Sequence, residues 1–141
     1  MVPLVVFVLG VFALGALTGV GFVYFDNDAL YADVARTMVA SGDWLNPQIH
    51  GVPFLDKPPL FFWVLACFVR LFGESVGVMR APAVAAGAAV LAVVAWGCRE
   101  KQGRVLPALL GVFMVLSVPL FVGYCRRVYM EVPVALCVLA A

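Results

Sequence analysis

Four apolar stretches separated by polar segments dominate the hydropathy pattern of this chain. Residues 3–25 predict a first membrane-spanning helix, since about 20 consecutive apolar residues cross a bilayer core. Residues 82–98 predict a second span, which Pro82 opens in its first turn and which residues 76–79 can extend. Residues 105–123 predict a third span that ends at a glycine.

The fourth apolar stretch, residues 132–141, follows Glu131 and ends with the chain. A helix of that length rises about 15 Å, half of a bilayer core, and would leave its last carbonyls unpaired in lipid. We therefore expect residues 1–141 to form the N-terminal part of a longer polytopic membrane domain of the all-α class. We expect no activity from this part alone.

A long polar loop, residues 26–81, separates the first two spans and is predicted to carry two amphipathic interfacial helices. The first covers 28–41, with Asp28 as its N-cap and Gly42 just after its last turn. Trp44, slightly further on, is typical of an anchor at the membrane interface. The apolar residues of this helix recur at helical spacing and predict a helix lying on the membrane surface: Tyr31, Val34, Ala35, Met38 and Val39.

The second loop helix covers 58–72 and has proline in its first turn. Its length of about 15 residues and its internal Arg70 favour an interfacial or re-entrant helix over one that crosses the membrane. The connecting residues 45–57 hold two prolines and a glycine, so we predict an ordered loop there.

A helix at 58–72 that does not cross the membrane leaves the long loop and residues 124–131 on one face. Asp28, Asp56 and Glu131 then meet, although they lie far apart in the chain. Ionisable groups held at a membrane face are costly, so such a cluster predicts a functional site.

The distribution of charge predicts which face this is. Residues 99–104 carry three basic residues and one acidic residue, a net of +2. The loop 26–81 carries six acidic and four basic residues, a net of −2. The positive-inside rule therefore places the long loop on the extracytoplasmic side of a multi-pass protein of the cell inner membrane. Arg126 and Arg127 fall on the same outer side and oppose this orientation.

Composition makes a lipid bilayer the solvent of this chain. It is 65% hydrophobic with a mean hydropathy of +1.10, which a soluble domain of this size could not bury. The formal net charge of +1 gives no reason to expect a nucleic-acid partner. Four cysteines stand singly, without metal-ligand spacing, and are interpreted as small packing residues: Cys67, Cys98, Cys125 and Cys137.

Four short motifs stand in and after the loop: SGDWL at 41–45, DKPPL at 56–60, RAP at 80–82 and MEVP at 130–133. Together they resemble the GT-C membrane glycosyltransferases, in the bacterial branch similar to protein O-mannosyltransferases and the lipid A aminoarabinose transferase. The resemblance implies that a sugar moves from a polyprenyl-phosphate donor to a lipid or protein acceptor at the extracytoplasmic face. It also implies inversion at the anomeric carbon.

The resemblance further implies catalytic roles for single carboxylates. An acidic residue of the first loop acts as the base or as a carboxylate that orients the acceptor, and in strict register the family's aspartate falls on Asn27. Asp28 takes the role, or Asp26 takes it through a small shift; an inactive or diverged member is the third possibility. Glu131 stands where the family has an acidic residue that opens the fourth span.

A leaving lipid phosphate needs cations, and Lys57 together with Arg126 or Arg127 can supply them. In some relatives the acidic residue of the DKPPL motif binds a divalent metal with a distant histidine. Here that residue is Asp56, and a metal at it is a conjecture because these residues hold no such histidine. His50 is interpreted as a polar loop residue, and no other cofactor is expected.

Plainer interpretations remain open at the same positions. Asp28 can serve only as a helix cap, Asp56 and Lys57 can form a surface ion pair, and Glu131 can favour a helix dipole. For the whole chain, the alternatives are a non-catalytic membrane adaptor and a small transporter subunit that uses charges within its spans as an ion path.

Overall fold

The computed structural model describes residues 2–16, 26–100 and 105–140, and these residues are mostly helical, as predicted. The first predicted span, 3–25, is helical as far as Ala16, and its remainder lies outside the described residues. The elements follow in chain order: α1 (Val2–Ala16), α2 (Asp26–Ser41), β1 (Gln48–Ile49), β2 (Val52–Pro53), α3 (Pro59–Phe72), α4 (Val76–Glu100), α5 (Val105–Leu116), α6 (Pro119–Cys125) and α7 (Glu131–Ala140).

Helix α4 is the centre of the fold and packs against α1, α3, α5, α6 and α7. Within it, Val76–Cys98 is long and apolar enough to cross a membrane. Across the described ranges it is the single helix that meets this standard; α5 and α6 meet it only as a bent pair, and α1, α3 and α7 are shorter. The total of four spans therefore stays a prediction.

The second predicted span is confirmed as a helix, but its start is not where the proline suggested. Helix α4 begins at Val76, so Pro82 lies inside it and does not open it. A proline near the start of a helix removes only one backbone hydrogen bond, and the helix can continue through it where packing supports the turn. Pro82 is buried, and the helices that pack against α4 provide that support.

The third predicted span, 105–123, is not one helix. It is divided into α5 and α6, which are bent by 78° across a short break. Val118 has an extended backbone (φ −84°, ψ 109°) because the residue before a proline is disfavoured in the helical region, and Pro119 follows it. The Ser117 hydroxyl donates to the Phe113 carbonyl at 2.7 Å and closes the end of α5.

Small residues let α4 approach its neighbours closely. A Cβ at Gly10 of α1 would lie 3.2 Å from the Cβ of Ala88. A Cβ at Gly87 would overlap the Sγ of Cys125, which is completely buried at the end of α6. The predicted packing role of the cysteines therefore holds for Cys125, whereas Cys67 and Cys137 are exposed.

Helices α2 and α3 form a second core outside this bundle. The apolar stripe predicted on α2 is confirmed, but it faces α3 and not the membrane surface. This correction has a simple cause, since α3 offers a complementary aromatic face whose burial against α2 removes both from water or headgroups. The buried residues of this α2–α3 core are Tyr31, Ala32, Val34, Ala35, Met38, Phe61, Phe62, Leu65, Ala66, Val69, Met79 and Val128.

The N-terminus of α2 differs from the sequence prediction, whereas its C-terminus agrees with it. The helix begins at Asp26, so Asp28 lies inside its first turn and is not the N-cap. At the other end Gly42 has a φ of +73°, and its N–H donates to the Met38 carbonyl at 3.1 Å, as expected of a residue that follows a helix.

The segment between α2 and α3 is ordered by local hydrogen bonds. The Asp43 carboxylate accepts bonds from the backbone N–H groups of Leu45 and Asn46, each at 3.1 Å. The next residues form the short antiparallel hairpin of β1 and β2, turned by His50 (φ 50°) and Gly51 (φ 80°). His50 is thus an exposed turn residue of a hairpin that the sequence analysis described only as loop.

Trp63 of α3 holds this segment in place. Its indole N–H donates to the Trp44 carbonyl at 2.5 Å, and Trp44 is half-buried against the α2–α3 core. The half-buried indole of Trp44 packs against the α2–α3 core, and the predicted anchoring of Trp44 at the membrane interface stays a prediction.

We expect Trp63→Phe to lower the free energy of unfolding by about 1 kcal/mol, because it removes the indole donor and leaves the Trp44 carbonyl without it. Thermal unfolding in detergent, followed by circular dichroism, measures this loss. Trp96→Phe is the matched control, since Trp96 is exposed on α4. Equal midpoints for the two variants would contradict the structural role of this hydrogen bond.

Candidate functional site

Asp28 is a buried carboxylate whose charge is only partly offset by its neighbours. Its side chain is 5% exposed, and neither of its oxygens accepts a well-formed hydrogen bond from any described residue. Burial raises the pKa of this carboxyl above its ordinary value, while Arg127, Arg80 and the backbone N–H of Val128 act to lower it. Unpaired buried polar groups are rare because each one costs desolvation energy, and they concentrate at functional sites.

Helix α2 and the segment between α6 and α7 meet at Asp28, because apolar residues next to Asp28 hold the two together. Asp28 and Tyr31 are three residues apart on α2 and share one face of the helix. Val128 inserts into the α2–α3 core, and this places the segment between α6 and α7 across the start of α2. Arg127 and Tyr129 flank Val128 and are carried to the same face.

Arg80 closes the site from the side of α4. It is 2% exposed, and the preceding Met79 belongs to the α2–α3 core. Its charge acts on Asp28, and it is close enough to Arg126 for the two guanidinium groups to influence each other. Arg80 belongs to the RAP motif, which predicts no role for it; the available signal is an arginine close to the start of an apolar helix.

Tyr31 is a buried tyrosine whose phenol is influenced by all three of the predicted carboxylates. Its ring is 3% exposed and lies edge-on to Phe62 at 5.5 Å between ring centroids. Burial raises the pKa of its phenol, and nearby groups raise it further, in decreasing order: Glu131, Tyr129, Asp28 and Asp56. The charges of the three carboxylates predicted to meet therefore all act on one buried phenol, whereas their meeting and their catalytic roles stay predictions.

The remaining predicted site residues are placed at the rim. Lys57 and Asp56 are exposed and line an open groove of about 370 Å³ that is otherwise apolar. Glu131 is exposed at the first position of α7, and Arg126 and Arg127 are half-buried. The other groove residues are Leu45, Pro47, Phe54, Leu55, Pro58 and Pro59.

Two predicted positions gain no support from geometry. The Asp26 side chain lies outside the described part of the structure, although its backbone begins α2. Asp56 has no set of histidine, cysteine or acidic partners arranged for a metal within residues 2–16, 26–100 and 105–140. The donors present there do not fit a divalent metal site by themselves, so we assign no chemical step to one.

Comparison with known proteins gives a consistent picture. The family model described as dolichyl-phosphate-mannose-protein mannosyltransferase matches residues 56–141. No solved structure matches. The matched region includes the groove lysine and Arg80, and it ends beyond the start of α7.

Two of the similar curated proteins are named as glycosyl-transferring enzymes. The chain is 34% identical over 86 residues to an undecaprenyl phosphate-α-4-amino-4-deoxy-L-arabinose arabinosyl transferase of Pseudomonas savastanoi pv. phaseolicola, over 59% of this chain and 16% of the relative. It is 33% identical over 90 residues to a similarly named transferase of Pseudomonas fluorescens, over 63% and 15% of the two chains. An uncharacterised protein of Aquifex aeolicus is 30% identical over 116 residues, 82% of this chain and 23% of the relative. The chain thus spans about a sixth of the length of the two transferases.

Proposed function

This chain belongs to the dolichyl-phosphate-mannose-protein mannosyltransferase family, and from that membership we propose that it serves a membrane glycosyltransferase whose donor is a polyprenyl-phosphate sugar. The names of the two Pseudomonas relatives support an undecaprenyl-phosphate carrier. The acceptor is a lipid or a protein. We place the site on the extracytoplasmic face of a multi-pass inner-membrane protein, in line with the charge asymmetry of the loops.

The observation that carries this proposal is the buried carboxylate of Asp28, whose oxygens accept no well-formed hydrogen bond from the described residues. A hydroxyl acceptor is a weak nucleophile, and a carboxylate within hydrogen-bond reach of it can take its proton as it attacks. The acceptor oxygen then bonds to the anomeric carbon while the bond from that carbon to the phosphate oxygen breaks. The proton passes to Asp28, and the electron pair leaves with the polyprenyl phosphate.

The leaving phosphate gains negative charge, and the site supplies cations for it at two places. Lys57 stands at the apolar groove, whose other residues suit a lipid chain better than water. Arg126 and Arg127 are half-buried on the segment that crosses α2, and a guanidinium binds phosphate oxygens with two parallel hydrogen bonds. Glu131, whose charge acts on the Tyr31 phenol, is the second carboxylate, and we propose that it orients the acceptor.

Sugar transfer in membranes that express the full gene product tests this function. The donor is radiolabelled 4-amino-4-deoxy-L-arabinose on undecaprenyl phosphate, and the acceptor is the lipid fraction of the same membranes. Transfer above that of membranes carrying an empty vector is expected. Transfer equal to the empty vector with this donor and with a mannosyl donor would refute the proposal.

Within that assay, Lys57→Gln should raise the KM for the donor about ten- to a hundredfold, with a smaller change in kcat. Hydrogen bonds to a charged group contribute about 1.5–3 kcal/mol, which corresponds to that range. Arg70→Gln is the matched control, because Arg70 is exposed on α3 and far along the helix from the groove. An unchanged KM for Lys57→Gln would remove this lysine from phosphate binding.

A further inference from the structure

We infer that Tyr129 is a positioning residue: its ring joins the two cores of the protein and so holds Arg127 at a fixed place beside the start of α2. The inference rests on the proposed function of Arg127, which is to bind the phosphate of the donor. Tyr129 acts through that arginine, and we assign its ring no contact with the substrate.

Tyr129 is the middle member of three tyrosine rings. Its ring centroid is 5.7 Å from that of Tyr31 on α2. It is also 5.5 Å from that of Tyr124, near the end of α6. Aromatic rings with centroids about 4.5–7 Å apart attract each other, in addition to the effect of burying their surface. One side chain therefore contacts two elements that are far apart in the chain.

The two neighbouring rings belong to different cores. Tyr31 is 3% exposed in the α2–α3 core. Tyr124 is half-buried and packs against a separate group of buried residues, the bundle core, in which α1, α4, α6 and α7 meet. Tyr129 therefore bridges the two cores. The buried residues of the bundle core are Leu14, Val84, Ala86, Leu91, Cys125 and Val132.

The residues next to Tyr129 in sequence attach the same segment to the α2–α3 core. Val128 is 5% exposed and is part of that core, and Met130 is half-buried against it. The Tyr129 ring adds the contact with α6, through Tyr124. The segment between α6 and α7 is thus packed on one side and joined by the ring to the other.

Arg127 is held between these contacts. Its backbone N–H donates to the Tyr124 carbonyl at 3.2 Å, so the turn after α6 ties Arg127 to the residue whose ring contacts Tyr129. Asp28 lies about one helical turn before Tyr31. The ring contacts from Tyr31 through Tyr129 to Tyr124 therefore set the separation between the backbones that carry the proposed base and the proposed phosphate ligand.

That separation matters because the site must hold both the attacking acceptor and the leaving phosphate. A displacement of about 1 Å can lower a rate by about a hundredfold. Loss of the bridging ring should therefore be seen in sugar transfer and in the local order of residues 126–130, with the helix bundle intact.

Tyr129→Leu in the full gene product tests the bridge, since leucine is apolar and has no ring. With the radiolabelled donor, kcat/KM should fall about ten- to a hundredfold. Tyr129→Phe keeps both ring contacts and should restore most of the wild-type value. Phe113→Leu is the matched control, because Phe113 is 69% exposed on α5. A kcat/KM for Tyr129→Leu equal to that of Phe113→Leu would overturn the assignment.

A double-mutant cycle shows whether Tyr129 acts through Arg127. Arg127→Gln alone should lower kcat/KM about tenfold or more, as expected for loss of a hydrogen bond between charged groups. Once the guanidinium is gone its position no longer matters, so Tyr129→Leu should cost much less in that background than in the wild type. Equal losses in the two backgrounds would overturn the positioning role, and so would an unchanged kcat/KM for Arg127→Gln.

Hydrogen exchange followed by mass spectrometry tests the bridge without reference to catalysis. In Tyr129→Leu, peptides covering residues 126–130 should exchange about tenfold faster or more, because local opening of the segment becomes easier. Peptides of α4 within Val76–Cys98 should exchange as in the wild type. Unchanged exchange at 126–130 would overturn the bridge. Faster exchange that extends over α4 would also overturn it, since Tyr129 would then be a general structural residue.

Together, the two measurements separate this inference from the proposed function. Faster exchange confined to 126–130, in membranes whose transfer is unchanged, would overturn the positioning role and leave the function standing. The same confined exchange, in a protein whose wild type transfers no sugar, would support the bridge and refute the function instead.

Tyr124→Leu covers the case in which Tyr129→Leu does not accumulate. It removes the α6 side of the bridge and leaves the contact between Tyr129 and Tyr31 in place. Exchange at 126–130 should again be faster, and kcat/KM should again fall. Wild-type behaviour of Tyr124→Leu would overturn the bridge. Failure of both variants to accumulate would do the same, because the ring would then be needed for folding as a whole.

Discussion

Membranes that carry Asp28→Asn are expected to transfer sugar about 10²- to 10⁴-fold more slowly than wild-type membranes, with the KM for the donor little changed. That range is the usual contribution of a positioned general base. The amide has nearly the same shape as the carboxylate, so packing at this buried position is preserved while proton acceptance is lost. Initial rates with the radiolabelled donor measure the effect.

The pH dependence of the wild type should follow from the same residue. Burial raises the pKa of Asp28, and the carboxylate must be ionised to accept a proton. Activity should therefore fall as the pH falls through that raised pKa, and the residual activity of Asp28→Asn should lack this limb. Asp33→Asn, on the same helix and only half-buried, is the control and should behave as wild type. Wild-type turnover in Asp28→Asn would transfer the role to Asp26.

The largest expected effect on stability is that of Gly87→Ala. An added Cβ would overlap the Sγ of Cys125 and lie 3.2 Å from the Cδ1 of Leu14, so α1 and α6 cannot both keep their contact with α4. Overpacking of this kind costs about 1–3 kcal/mol. Chemical unfolding in detergent, followed by circular dichroism, should show that loss. Gly97→Ala is the matched control, since nothing lies within 4 Å of a Cβ there.

A second substitution identifies the cause of the loss. Cys125→Ala, added to Gly87→Ala, removes the sulfur that the new methyl group meets. Most of the lost stability should return, because the Cβ of Cys125 is 3.4 Å from the added atom, within ordinary contact. A double variant as unstable as Gly87→Ala alone would show that α6 does not sit on Gly87 as described.

Local signals in the sequence predicted the helices well and their partners poorly. The recurring apolar positions of α2 show that one face is buried, and they did not show whether lipid or α3 covers it. The start of α4 was predicted too late because Pro82 was given more weight than the packing around it. The break before Pro119 had a clear local signal that the high hydropathy of 105–123 obscured.

Part of the site could be predicted because its acidic residues stand out in a mostly apolar sequence. Asp28, Asp56 and Glu131 are acidic residues in an apolar chain, and the action of all three charges on the Tyr31 phenol agrees with placing two segments on one face. The burial of Arg80 could not be predicted in this way. The preceding Met79 is buried in the α2–α3 core, and no local pattern in the sequence encodes that long-range packing.

The bend before Pro119 has a consequence for the position of the two arginines that we propose bind phosphate. Helix α5 rises for only twelve residues, about 18 Å, before the chain turns by 78° into α6. A straight helix through the same residues would carry Arg126 and Arg127 several ångströms further along the axis of α5. The turn keeps them closer to the end of α5 along that axis, so a carrier lipid held by them would place its phosphate beside the bend.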